Sequence, residues 1–148
     1  ILDHLLSSSS FKVIHDGATH TRTEKVIEIE SWNEGVKNLR VCWQGPNKDT
    51  NCGQCEKCIR TKLNFLAIGN KIPDCFQDKK EISFKGIRLK HEGDIVDCQQ
   101  IYDFAKSNNI KCQSVDNIPQ IIFKNRMQNN VMKFKSYVKN RVKFFEWN

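Results

Sequence analysis

Long apolar runs are missing from this chain: no stretch approaches the roughly 18 residues that a membrane-spanning helix needs. An export signal, with its basic start, short apolar core and small-residue cleavage site, is missing as well. Acidic side chains are scarce toward the C-terminus. From Lys124 onward only Glu146 is acidic, against seven basic residues: Lys124, Arg126, Lys133, Lys135, Lys139, Arg141 and Lys143. These absences disfavour a spanning protein, point to a reducing, cytoplasmic setting, and place most of the +7 formal charge in one segment. What is present suits a small folded unit. With 148 residues, 39% hydrophobic and 28% charged, the chain can bury one core and is too apolar for intrinsic disorder.

Seven cysteines are distributed unevenly. Cys42, Cys52, Cys55 and Cys58 form the pattern C-x9-C-x2-C-x2-C, with Gly53 directly after the second. Two-residue gaps let neighbouring thiolates turn toward one ion, and structural zinc takes a closed tetrahedral shell of four such ligands. Gly53 suits a sharp turn between ligands, because a residue without Cβ reaches left-handed backbone angles cheaply. Disulfides and an iron–sulfur cluster are the alternatives. An odd cysteine count, no export signal and the tight clustering count against disulfides, whereas four cysteines also hold clusters. Cys75, Cys98 and Cys112 show no ligand spacing and read as ordinary buried or free thiols.

The same stretch resembles a known family. Cys42, an aromatic and a glycine, a polar loop, then C-G-Q-C-E-K-C-I-R, is similar to the C-terminal zinc motif of 7-cyano-7-deazaguanine synthases and related PP-loop ATP pyrophosphatases (adenine nucleotide alpha-hydrolase-like proteins). T-R-T-E-K-V-I-E-I, from Thr21 to Ile29, resembles the helix start ahead of those cysteines, with Arg22 where the family usually has lysine. The likeness covers about Ile1 to Gly69. It implies the C-terminal lobe of an α/β enzyme that adenylates a carboxylate or carbonyl oxygen with ATP and Mg2+, releases pyrophosphate and lets a nitrogen or sulfur nucleophile displace AMP. It also implies that Arg60 supports a thiolate or meets substrate. The family's S-G-G-x-D-S loop does not occur here; no two of the seven glycines are adjacent. The expectation is therefore a C-terminal part of a longer polypeptide, partnered by an ATP-binding part of the same chain and inactive alone.

Along the chain, Ser7 to Ser10 reads as a loop, and Phe11 to Ile14 as a short strand leading to a turn at His15, Asp16 and Gly17. Loops after strands often carry function, so His15, Asp16 and His20 are candidate site residues, with Asp16 an acid or magnesium ligand. The plainer reading is a turn aspartate and surface histidines. Thr21-x-x-Glu24 is a capping box opening a helix over residues 21–31, ended by Trp32 and Gly35. Arg22 and Lys25 either face a phosphate or lie on a solvated face. Leu39, Val41 and Trp43 alternate, which predicts a strand delivering Cys42 to the metal. Ile59, Leu63 and Leu66 then predict a helix stopped at Gly69.

Residues 1–70 are thus expected to form the end of a PP-loop-like domain with its zinc motif, and residues 71–148 a small α-rich extension. The fold class is α+β and predominantly helical. Within the extension, Ile82, Phe84, Ile87 and Leu89 suggest a broken strand or hairpin around Gly86. Asp94 caps a helix over residues 95–107, with Ile95, Cys98, Tyr102 and Ala105 on one face. A last helix opens near Asp116, with Pro119 in its first turn. Met127, Val131, Phe134, Val138, Val142 and Phe145 recur at three and four residues, with Asn129 and Asn130 the place where a break would fall. The plain expectation is a helix packed on the domain with a solvated basic face. Alternatively, Lys133, Lys135, Lys139, Arg141 and Lys143 hold nucleic acid, for instance a tRNA, or an acidic protein. A membrane surface ranks below these and is left out of the expected partners. A stand-alone zinc-binding interaction module is the second functional reading.

Overall fold

In the computed structural model the described residues are 2–17, 19–43, 49–78, 82, 84, 87–89 and 91–145, with side chains described as far as residue 139. The fold is predominantly helical. A 3-10 turn, Asp3–Leu6, is followed by α1 (Arg22–Glu30), α2 (Asn33–Lys37), α3 (Glu56–Ala67), α4 (Glu92–Ser107), α5 (Gln113–Asp116) and α6 (Ile118–Phe145).

Helix α1 starts where its capping box predicts. The Glu24 N–H donates to the Thr21 hydroxyl at 3.2 Å, and the Thr21 N–H donates to the Glu24 carboxylate at 2.6 Å. Both bonds satisfy amides that a helix start leaves orphaned. The Thr21 backbone and hydroxyl also hold the Glu24 carboxyl below its ordinary value. A depressed carboxylate stabilises the fold above its unfolded pKa and loses that contribution as pH falls through the lower folded value. Thr21→Ala removes the hydroxyl that accepts the Glu24 N–H and is expected to cost about 1 kcal/mol near neutrality. Urea titrations of both proteins at pH 7 check this; equal stability would refute it.

Helix α1 ends at Glu30, just ahead of Trp32 as expected, but Gly35 is not part of its stop and lies inside the next helix, α2. The glycine is a packing residue, since a Cβ there would collide with the Trp32 ring. Gly69 does act as a stop: at φ +82° it ends α3, with the Asn70 N–H donating to the Phe65 carbonyl at 3.0 Å. Helix α4 begins two residues before Asp94, which lies inside the first turn rather than capping it. Its carboxylate accepts from the His91 N–H at 3.1 Å.

Neither the strand expected over residues 11–14 nor the one expected over residues 39–43 forms, and the only ladder contact among the described residues is a parallel bridge between Asn51 and Phe76; the strand or hairpin expected around Gly86 falls largely outside the described residues. Alternation predicts which side chains share a face, but a strand also needs a neighbouring backbone to take its amides. Here asparagine side chains supply those bonds. The Leu89 N–H donates to Asn125 Oδ1 at 2.9 Å, and the Leu89 carbonyl accepts from Asn129 Nδ2 at 3.0 Å. Two residues one turn apart on α6 thus hold the extended segment as a strand partner would. Gly86 lies outside the described residues.

The main core joins Ile59, Leu63 and Ala67 of α3 to Ile95, Cys98, Ile101 and Ala105 of α4, then to Val115, Ile118 and Ile122. It therefore unites residues on both sides of position 70. α1 is fastened to α3 by the buried Thr23 hydroxyl, which donates to Asn64 at 2.6 Å. Helix α6 runs unbroken through Asn129 and Asn130. Its apolar stripe is not packed on the domain: Met127, Val131, Phe134 and Val138 are all exposed. Val142 and Phe145 have side chains beyond the described ones. Among the described residues, no helix is long and apolar enough to cross a membrane.

Candidate metal centre

The four clustered cysteines arrive from three kinds of backbone. Cys42 sits on an extended segment, Cys52 and Gly53 form a turn, Cys55 is the N-cap of α3, and Cys58 lies in the first turn of that helix. Gly53 has φ +75°, and a Cβ there would lie 2.9 Å from the Asp78 carbonyl oxygen. A turn this close to another backbone needs glycine on both counts.

One buried residue sets the frame. Asn51, 1% exposed, accepts from the Val41 and Cys42 N–H groups at 3.0 and 3.1 Å. Its amide nitrogen donates to the Leu39 carbonyl at 2.6 Å and the Cys75 carbonyl at 3.1 Å. The Asn51 backbone carbonyl meanwhile accepts from the Gln77 N–H at 3.2 Å. The segment bearing Cys42 is thereby fixed beside Cys52 without a sheet.

The resulting sulfur positions fit one ion. The Sγ atoms of Cys42 and Cys52 are 3.5 Å apart, those of Cys42 and Cys55 3.7 Å, and those of Cys52 and Cys58 3.9 Å. All four lie within 4.8 Å of one another. A tetrahedron with zinc–sulfur bonds of about 2.3 Å has edges of about 3.8 Å. All seven cysteines are free thiols, which sets disulfides aside. A four-iron cluster puts each thiolate on its own iron and spreads the sulfurs more widely. A single tetrahedral ion is the better fit to this set.

Burial pushes the Cys58 thiol strongly up, and the Gly53 N–H only partly offsets it. Burial likewise raises Cys55, against a bond from the Cys58 N–H. Such thiols give up their protons when a cation takes their place, so metal capture releases protons. Four thiolates around a divalent ion leave two negative charges, and cations stand close by. Lys62, one turn after Cys58 and 2% exposed, donates its ammonium to the Asp78 carbonyl and lies 5.7 Å from the Phe76 ring centre. Burial lowers its pKa, while Asp78, Cys58 and Cys52 raise it. Lys57, between two ligands, sits 4.6 Å from the Trp43 ring centre.

The remaining candidates do not gather at the cluster. Arg60 pairs with Glu56 at 2.8 Å, Asp94 at 3.1 Å and Asp97 at 2.7 Å, so its guanidinium ties α3 to α4. Arg22 joins that network from α1, 3.0 Å from Asp97. His15 pairs with Asp3, and the Asp16 carboxylate accepts from the Gly17 N–H at 2.8 Å, the turn geometry of the plainer reading. His20 contacts the Thr19 hydroxyl at 3.1 Å, and the Lys25 side chain reaches over Gly17. Lys133, Lys135 and Lys139 are exposed on α6; the side chains of Arg141 and Lys143 lie outside the described ones. Cys98 is in the main core, where burial pushes its thiol up to about 11. Cys75 packs beside the four ligands without being one of them.

Sequence reasoning missed Asn51, Lys62 and Phe76. Lys62 left a trace, as a cation beside Leu63 in the most apolar stretch of α3. Asn51 left only its place before Cys52.

Comparison with protein families, curated proteins and solved structures returns no match. The geometry of the four thiols therefore carries the functional argument.

Proposed function

We propose that Cys42, Cys52, Cys55 and Cys58 bind one zinc ion as a closed structural site, and that this unit is the zinc-stabilised C-terminal lobe of an ATP-dependent adenylating enzyme of the PP-loop type. The observation that carries the zinc assignment is the convergence of four thiols within 4.8 Å of one another. Four protein ligands leave no position for water or substrate, so the ion holds the fold and does not activate a nucleophile. It would clamp the Leu39–Cys42 segment and the Cys52 turn to the start of α3. The adenylating part of the reading rests on the cysteine motif and the helix start before it. The large exposed side chains of Leu2, Leu5, Phe11 and Ile14 add support, as a surface suited to a further domain. ATP and Mg2+ would belong to a part carrying the S-G-G-x-D-S loop, and this lobe should not turn over ATP by itself.

Two measurements test the proposal. Elemental analysis with a free-thiol count should find about one zinc per chain and four protected thiols; a metal-free protein with seven reactive thiols would overturn it. The full gene product should release pyrophosphate from ATP, and a gene product without an S-G-G-x-D-S segment would remove the enzymatic half while leaving the zinc site standing. The exposed α6 favours a second reading, a zinc-stabilised interaction module that docks through that helix.

A further inference from the structure

Helix α6 carries two apolar faces, of which the core uses one. Ile118 and Ile122 are buried on the inner side, together with Asn125, and Asn129 follows on the same side holding Leu89. Phe123, Met127, Val131, Phe134 and Val138 follow one another at spacings of four, four, three and four residues. At 3.6 residues per turn these form one stripe on the side opposite the core-facing residues. All five are exposed, from 42% for Val138 to 68% for Phe123. The stripe is about 22 Å long at 1.5 Å per residue. It is not an extension of the core face, so the fold itself leaves it uncovered.

Charge narrows what can cover it. Between Ile118 and Phe145 there are seven lysines and arginines and no aspartate or glutamate. Lys124 and Lys135 lie beside the stripe on one side and Arg126 on the other, and Lys139 and Lys133 lie farther round the helix on those same two sides. A second copy of the same helix would bring cations to cations. A nucleic acid would meet the cations but has no use for five apolar side chains in line. An anionic lipid surface satisfies both, because phenylalanine, methionine and valine enter the acyl boundary while flanking lysines extend to the headgroups.

We propose that α6 lies on anionic phospholipid membranes, with Phe123, Met127, Val131, Phe134 and Val138 inserted and Lys124, Lys133, Lys135 and Lys139 at the headgroups. This inference is independent of the zinc site and of the adenylating reading, and it adds a partner that the sequence pattern alone ranked last. Insertion is peripheral, in keeping with the lack of any helix among the described residues apolar enough to span.

The test is flotation of the protein with phosphatidylcholine vesicles, with and without phosphatidylserine, at low and high salt. Binding is expected only with phosphatidylserine and should fall steeply with salt. Lys133→Gln, Lys135→Gln and Lys139→Gln together should weaken it roughly a hundredfold, at about fivefold per lysine. Phe134→Ser with Val138→Ser should weaken it at least about tenfold, which contact by charge alone would not. All these residues are exposed, and circular dichroism of each variant verifies that the helix is kept. Absence of binding at low salt overturns the proposal, as does binding indifferent to Phe134→Ser with Val138→Ser. So does tighter binding to RNA than to vesicles, or a dimer in sedimentation that Phe134→Ser dissociates.

Discussion

Cys58→Ser is expected to release the zinc ion and to lower the melting temperature by more than roughly 10 °C, at a few degrees per kcal/mol. Cys58 is wholly buried, and its sulfur comes from the one ligand fixed within a helix. A structural four-thiolate zinc contributes on the order of 10 kcal/mol in small metallo-domains, comparable to the whole net stability of a domain. Serine offers no thiolate and leaves three cysteines around an incomplete shell. The main core contains none of the four ligands, so most of the α4 and α6 helical signal should survive while the segments around residues 39–58 loosen. Cys75→Ser is the control, because Cys75 packs beside the site without belonging to it. Zinc content and thermal melts of both variants decide the matter. Unchanged metal and melting in Cys58→Ser would dismiss the metal centre.

Asn51→Leu should destabilise the protein by roughly 3–5 kcal/mol, although leucine matches asparagine in size and Asn51 is no ligand. The change strands the Val41 and Cys42 amides and the Leu39 and Cys75 carbonyls, all of which bond the Asn51 side chain. Each buried polar group left without a partner costs about 1–3 kcal/mol, and partial access of water reduces the sum. Because two of those amides set the position of Cys42, zinc affinity should fall as well, with the stoichiometry kept at saturating metal. Urea denaturation in excess zinc, together with competition against a chelator, separates the two effects. A loss below about 1 kcal/mol would mean that the surrounding backbone finds other partners.

Spacing encodes what lies close along the chain, and there the sequence was legible. The cysteine pattern named four residues whose sulfurs folding brings within 4.8 Å, close enough to hold one ion. Thr21 and Glu24 announced α1, Gly69 closed α3, and the three-and-four repeat marked α6. Each is a local rule, expressed by backbone geometry over one or two helical turns. The strands expected over residues 11–14 and 39–43 were misread because alternation is local whereas a hydrogen-bonding neighbour is not. The side chain that accepts the Val41 and Cys42 amides lies 10 and 9 residues away, and the one that accepts the Leu89 amide lies 36 away.

By itself, then, the sequence determined the four-cysteine cluster, the principal helices and the concentration of positive charge on α6. Only the tertiary structure decided that Arg60 and Arg22 join the acids of α4, that Lys62 is buried near the thiols, and that asparagine amides replace a sheet. It alone decided, too, which apolar face of α6 meets the core and which is left to solvent. The division follows from distance: a helix or a ligand cluster is set by neighbours in sequence, while burial and ion pairing depend on residues that meet only when the chain has folded.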